Sequence, residues 1–99
     1  MDVRFATFNA SLNRNVEGQL VADLSTPDNA QARTIAEIIQ RTSPDVLLVN
    51  EFDPLGNVDA PNGPEDLFRE NFLEVSQNGA PAIDFPYAVS YTHLRAHET

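Results

Sequence analysis

Two side chains suited to holding a divalent cation stand at matching points of two strand-like runs. The run VRFATFNAS carries Asn9 just after its apolar stretch, and PDVLLVNEFD carries Glu51 near the end of its own. A carboxylate such as Glu51 is a hard oxygen ligand. Mg²⁺ takes one or two of these and leaves its other positions to water and substrate phosphate. An amide such as Asn9 offers its oxygen to a cation or its N–H to a phosphate oxygen. At the rim of an apolar strand a carboxylate is partly desolvated, where an unpaired charge is costly and a bound cation offsets that cost. Position alone leaves plainer alternatives open: Glu51 as a solvated glutamate or the partner of an arginine, and Asn9 as a turn former.

The neighbours add less. Strand alternation sends Asn50 to the face opposite Glu51. Asp53 reads as a supporting carboxylate or an exposed loop aspartate, and Arg14 as a phosphate contact or a solvated cation. The loop after Asp53 fails the calcium-loop pattern, because its third, sixth and twelfth positions are Leu55, Val58 and Pro64. Asn9-Ala10-Ser11 fits the glycosylation sequon, an unspecific pattern set aside because a sheet-edge site is poorly accessible. No Walker-type or G-x-G-x-x-G loop is present, which argues against a nucleotide-binding doubly wound fold.

These groups need rigid elements behind them. Residues 3–8 are rich in β-formers and predict a buried strand ending at Asn9. Residues 9–25 form a long polar connection with Gly18 and an apolar cluster, Leu20, Val21 and Leu24, that suits one helical turn. Ordered loops of this length are often functional. Thr26 then reads as a helix N-cap, Pro27 as the first helical residue and Asp28 as a first-turn acid. Ala32, Ile35, Ala36, Ile38 and Ile39 share one helix face, and Pro44 stops the helix.

Residues 45–49 predict the second strand, whose VLLV run suits a strand covered on both faces. Strand, helix and strand at this spacing predict a right-handed βαβ crossover. It would bring Asn9 and Glu51 to the same ends of neighbouring parallel strands, where open α/β sheets bind ligands. After a loop at 52–63, Pro64, Glu65 and Asp66 open a second helix that buries Leu67, Phe68 and Phe72. Asn78-Gly79 with Pro81 marks a turn, and Phe85-Pro86-Tyr87-Ala88 reads as the opening of a third strand.

Composition bounds the function. The formal charge is −9, with fifteen acidic residues against six basic ones, all arginine. That balance does not suit a protein that coats nucleic acid through clustered Lys and Arg. It does not exclude a metal-dependent enzyme acting on phosphates, where the cation supplies the positive charge and the protein supplies carboxylates. The absence of cysteine removes disulfides and thiolate metal sites. No apolar run approaches the ~20 residues of a membrane-spanning helix. No secretory signal is visible, although a start upstream would leave room for one and for export.

Residues 89–99, VSYTHLRAHET, resemble a translated reading frame of the transposase adaptor DNA used in sequencing libraries. The expectation is that this tail is foreign and that residues 1–88 carry the fold. Both histidines, His93 and His97, then lie outside it, and their i,i+4 spacing is not read as a zinc site. Arg95 and Glu98 cancel, so the charge without the tail is unchanged.

On RFATFNAS and PDVLLVNEFD the chain resembles the N-terminal part of the endonuclease/exonuclease/phosphatase superfamily, whose fold is DNase I-like. Asn50 stands where that family more often has glutamine, and FPY at 85–87 is similar to the entry to its next strand. The likeness is greatest to bacterial members, some of them exported. It implies an α/β architecture: a four-layer α+β sandwich in the intact protein, of which residues 1–88 supply an N-terminal β-α-β-α-β piece. It also implies that Glu51 ligates a catalytic Mg²⁺ or Mn²⁺, that Asn9 lines the same site, and that the reaction is phosphoester hydrolysis. The substrate class is left open among nucleic acids, inositol phosphates and phospholipids.

The family's remaining groups, an Asp/Asn pair and a late Asp-His pair, map onto no residue here. The piece alone is therefore expected to be inactive, poorly stable and bare on one sheet face. The competing readings are a small acidic non-catalytic α/β binding module and a flavodoxin-like domain.

Overall fold

A computed structural model describes residues 2–16, 18–52 and 63–87. Two parallel strands, β1 (Phe5–Leu12) and β2 (Val46–Phe52), are joined through two helices, α1 (Gln19–Leu24) and α2 (Ala30–Thr42). A short helix, α3 (Pro64–Phe68), follows and runs on as a π-helical turn over Arg69–Leu73. The chain is thus a small α/β unit. The strands pair in simple register from Phe5 opposite Val46 to Asn9 opposite Asn50, and then lose it. Pairing resumes at Leu12 opposite Phe52, so β1 spends one more residue than β2 on the same step. That is a β-bulge, a device that bends a strand and re-aims its side chains.

All the helices lie on one side of this sheet. Ala10 and Leu12 of β1 are buried with Leu20 and Leu24 of α1, Ala32, Ile35, Ala36 and Ile39 of α2, and Phe68, Phe72 and Leu73. Phe8, Leu47, Val49 and Phe52 pack against that cluster from the strands. Burying a Leu or Phe side chain contributes about 1.5–3 kcal/mol, so this single layer of contacts carries most of the stability. The other sheet face is bare among the described residues: Phe5 is 73% exposed, and Val46 and Leu48 nearly half. The VLLV run is therefore covered on one face only, not both.

Several local expectations are corrected. β1 continues three residues past Asn9, because Ala10 and Leu12 still find core partners beneath α2. The N-cap of α2 is Asn29, whose Oδ1 accepts from the Ala32 N–H at 2.9 Å. Thr26, Pro27 and Asp28 instead belong to the turn that reverses the chain between α1 and α2. The helix closes on Ser43 in the left-handed region (φ 53°), whose N–H reaches the Ile39 carbonyl at 2.8 Å.

Ile38 points outward, and the buried stripe turns instead toward Gln40, which is 2% exposed. Gln40 Nε2 donates to the carbonyls of Leu73 (2.9 Å) and Val75 (2.8 Å), and its Oε1 accepts from the Gln77 N–H at 3.1 Å. It ties α2 to carbonyls at the end of the π-helical turn, where Leu73 also accepts from the Ile83 N–H at 2.8 Å.

The second helix begins as the sequence predicts, with Pro64 at its first position and Glu65 and Asp66 in its first turn. Asn78 and Gly79 form a tight turn with φ of 52° and 86°, closed by the bridge between Gln77 and Ala80. The predicted third strand is not formed: residues 81–87 run without regular structure. Pro81 and Pro86 have no N–H to offer a ladder, and no described strand lies ready to pair. Asp53 with its loop, the last residue of the FPYA motif, and residues 89–99 lie outside the described residues.

Candidate functional site

The carboxyl ends of the two parallel strands bring Asn9 and Glu51 together. Asn9 Nδ2 donates to Glu51 Oε2 at 2.6 Å. The sense of the Asn9 amide is fixed from its other side, where Oδ1 accepts from the Ser11 backbone N–H at 3.1 Å and from Ser11 Oγ at 3.3 Å. A backbone N–H can only donate, so the amide oxygen must face Ser11 and the NH₂ must face the carboxylate, which can only accept. The contact is a charge-assisted hydrogen bond, the stronger kind.

Strict alternation would not give this pair. Along β2, Leu47 and Val49 turn toward the helices, so Glu51 should follow them into the core. Instead Glu51 adopts φ 54° and stays exposed, while Phe52 takes the next place in the core. Phe52 is anchored there edge-on to Phe68, with ring centroids 5.7 Å apart. One left-handed residue thus shifts the phase of the strand, so Asn50 and Glu51 are both exposed, contrary to the alternation read from sequence. Ser11, beside the bulge on β1, is left-handed too (φ 52°). Non-glycine residues in this region cost on the order of 1–2 kcal/mol each. The hydrogen bond to the charged Glu51, worth about 1.5–3 kcal/mol, offsets part of that.

As placed, the Asn9 oxygen is committed to Ser11 and its NH₂ to Glu51, an arrangement that orients the carboxylate. The second carboxylate oxygen, Oε1, accepts no hydrogen bond from the described residues. The donor set is all oxygen and includes one exposed carboxylate, which matches the preferences of Mg²⁺ or Mn²⁺. Among the described residues no three Asp, Glu, His or Cys side chains gather into a metal cluster.

Arg14 is engaged away from the pair. Its Nε meets Asp23 Oδ2 at 2.7 Å, and its Nη2 donates to Gln31 Oε1 at 3.0 Å. Hydrogen bonds from Arg14 first, and from Gln19 second, hold the Asp23 carboxyl below its ordinary value. Gln31 was not singled out in the sequence, and only its long reach and its place just inside α2 could have drawn notice. Its Nε2 donates to the Ser11 carbonyl at 2.8 Å. A shallow open depression lined by Asp2, Val3, Arg4, Ser43 and Asp45 lies at the opposite ends of the strands and has no part in this arrangement.

No helix among the described residues is long and apolar enough to cross a membrane. No protein-family model, curated protein or solved structure matches this chain.

Proposed function

We propose that the Asn9–Glu51 pair is the cation-binding edge of a divalent-metal-dependent phosphoester hydrolase of the nuclease or phosphatase type, within a DNase I-like sandwich. The observation that carries this reading is the 2.6 Å contact between an amide and a carboxylate at the carboxyl ends of adjacent parallel strands. It is supported by the left-handed turn at Glu51, which swings a carboxylate out of the core face at that edge. Unusual backbone of this kind concentrates at functional positions. Glu51 holds the cation through the oxygen that Asn9 leaves open, and Asn9 keeps the carboxylate in place. A bound Mg²⁺ or Mn²⁺ would stabilise charge developing on a phosphate and lower the pKa of a bound water. One carboxylate does not complete a coordination sphere, so the remaining positions go to water, to substrate phosphate and to side chains beyond the described ones. Nucleic acids, inositol phosphates and phospholipids all carry the required phosphoester.

The test is a Mn²⁺ titration of the full chain followed by NMR. Paramagnetic broadening centred on Glu51, Asn9 and Ser11, and abolished in Glu51→Gln, supports the reading. Broadening spread evenly over exposed acids, or none at millimolar Mn²⁺, removes it.

A second reading is a small acidic non-catalytic binding module. It is favoured by the bare sheet face, where Phe5 is 73% exposed in a chain of charge −9. Full cation binding at Glu51 with no hydrolysis of a generic phosphodiester, in a form carrying a complete site, would favour it over the first.

A further inference from the structure

A carboxylate is only as well placed as the group that orients it, and Asn9 is itself held by a chain of hydrogen bonds running back to α1. Asp23 Oδ2 accepts from Arg14 Nε at 2.7 Å. Arg14 Nη2 donates to Gln31 Oε1 at 3.0 Å, and Gln31 Nε2 donates to the Ser11 carbonyl at 2.8 Å. The Ser11 N–H donates to Asn9 Oδ1 at 3.1 Å, and Asn9 Nδ2 reaches Glu51 Oε2 at 2.6 Å.

Every link in this chain has one permitted sense. A guanidinium only donates, so the Gln31 amide must turn its oxygen to Arg14 and its NH₂ to Ser11. The carbonyl of Ser11 only accepts. The peptide N–H of Ser11 only donates, which fixes the Asn9 amide, and that amide then presents its NH₂ to Glu51. Arg14 and the Ser11 carbonyl thus set the sense of the Gln31 amide, the Ser11 N–H sets that of Asn9, and Asp23 on α1 seats the guanidinium. Ser11 is the vulnerable member. It is left-handed beside a bulge, where the ladder is irregular, and Gln31 supplies a donor from a neighbouring element.

We propose that Gln31 is a positioning residue for the Glu51 carboxylate: it holds the Ser11 carbonyl, Ser11 fixes the sense of the Asn9 amide, and Arg14, seated on Asp23, fixes the sense of Gln31. What the carboxylate is held for rests on the function proposed above, whereas the positioning itself does not. Outer groups of this kind tune metal sites through the ligands they orient.

The experiment uses the full chain with Gln31→Glu and Gln31→Met. The first retains an acceptor for Arg14 but faces the Ser11 carbonyl with a second acceptor. The second removes both bonds at similar length. Three quantities are read: the side-chain amide NMR signals of Asn9, those of buried Gln40 as a reporter on the core, and Mg²⁺ affinity. The expected result is that the Asn9 signals move in both variants while those of Gln40 stay. Mg²⁺ binding should weaken about 10-fold, in the range seen when such outer partners are removed. Unmoved Asn9 signals in both variants overturn the proposal. Loss of the Gln40 signals in both overturns it as well, because Gln31 would then support the fold rather than the carboxylate. If the unaltered chain takes up no Mg²⁺, the cation reading fails, and the Asn9 signals still decide this one.

Discussion

Asn9 on β1 reaches across to Glu51 on β2 at 2.6 Å although its partner in the ladder is Asn50. The pair is one residue out of register, and a regular sheet would put the two side chains on opposite faces. The left-handed backbone of Glu51, together with the extra residue in β1, removes that obstacle. Phe52, locked against Phe68, keeps the shifted phase from relaxing.

This geometry separates the carboxylate of Glu51 from its backbone. Glu51→Gly should lose cation binding yet be more stable than Glu51→Ala by about 1 kcal/mol, because glycine adopts φ near +54° without a Cβ penalty. Glu51→Gln should also lose cation binding and, keeping an amide oxygen for Asn9 but not the charge, should be less stable than the unaltered chain by about 1 kcal/mol. Urea melts of the three variants check the order. Equal stability of the glycine and alanine variants would mean that the backbone there is not left-handed in solution.

The start of α2 makes an equally direct prediction. Asn29→Ala removes the acceptor of the Ala32 N–H and should cost about 1 kcal/mol. Thr26→Ala, at the position that sequence alone favours as the cap, should change stability by no more than a few tenths of that. Denaturant midpoints measured side by side distinguish the two caps.

The Arg14–Asp23 pair gives stability a pH dependence of known sign. The folded-state pKa of Asp23 lies below its ordinary value, chiefly because Arg14 donates to it and then because Gln19 does. A carboxyl depressed in the folded state stabilises the fold at pH above the unfolded-state value. That contribution is lost as pH falls through the folded-state value. Asp23→Asn should therefore be less stable than the unaltered chain at pH 7, with the gap closing as the solution is acidified below the usual carboxylate range. A gap that holds constant between pH 7 and pH 2 contradicts the assignment.

The uncovered sheet face predicts behaviour in solution. Phe5 and Leu48 are 73% and 45% exposed, an apolar surface beside strand edges that are open among the described residues. The chain at micromolar concentration should bind a hydrophobic dye such as ANS and self-associate as concentration rises. Phe5→Thr with Leu48→Thr should suppress both at a cost of about 1–2 kcal/mol, because Leu48 is partly buried. Light scattering and ANS fluorescence provide the check, and unchanged association in the double variant would move the sticky surface elsewhere.

The parts of this fold that were legible in the sequence are those set by short-range physics. Leu20 and Leu24 announced the single turn of α1, and Ala32, Ile35, Ala36 and Ile39 the buried stripe of α2. Pro64 with Glu65 and Asp66 opened α3, and Asn78-Gly79 made a tight turn because both positions tolerate positive φ. The juxtaposition of Asn9 and Glu51 was also legible in outline, since parallel strands joined by helices place their carboxyl ends side by side.

Tertiary contacts decided the rest. Asn29 and Thr26 are comparable caps by type, and only the turn between α1 and α2 chooses Asn29. Gln40 turned inward where Ile38 was expected, and there it meets the carbonyls of Leu73 and Val75 and the N–H of Gln77. Gln31 meets the Ser11 carbonyl beside the bulge, Phe52 after the left-handed Glu51 seats against Phe68, and the Ser11 N–H sets the sense of the Asn9 amide. Gln31 lies 20 positions from Ser11 and Phe68 lies 16 from Phe52, and contacts at that range leave no periodicity to read. The sequence determined which residues could do chemistry and which elements carry them. The orientation of those groups is set by hydrogen bonds and ring contacts between elements, which exist only once the chain has folded.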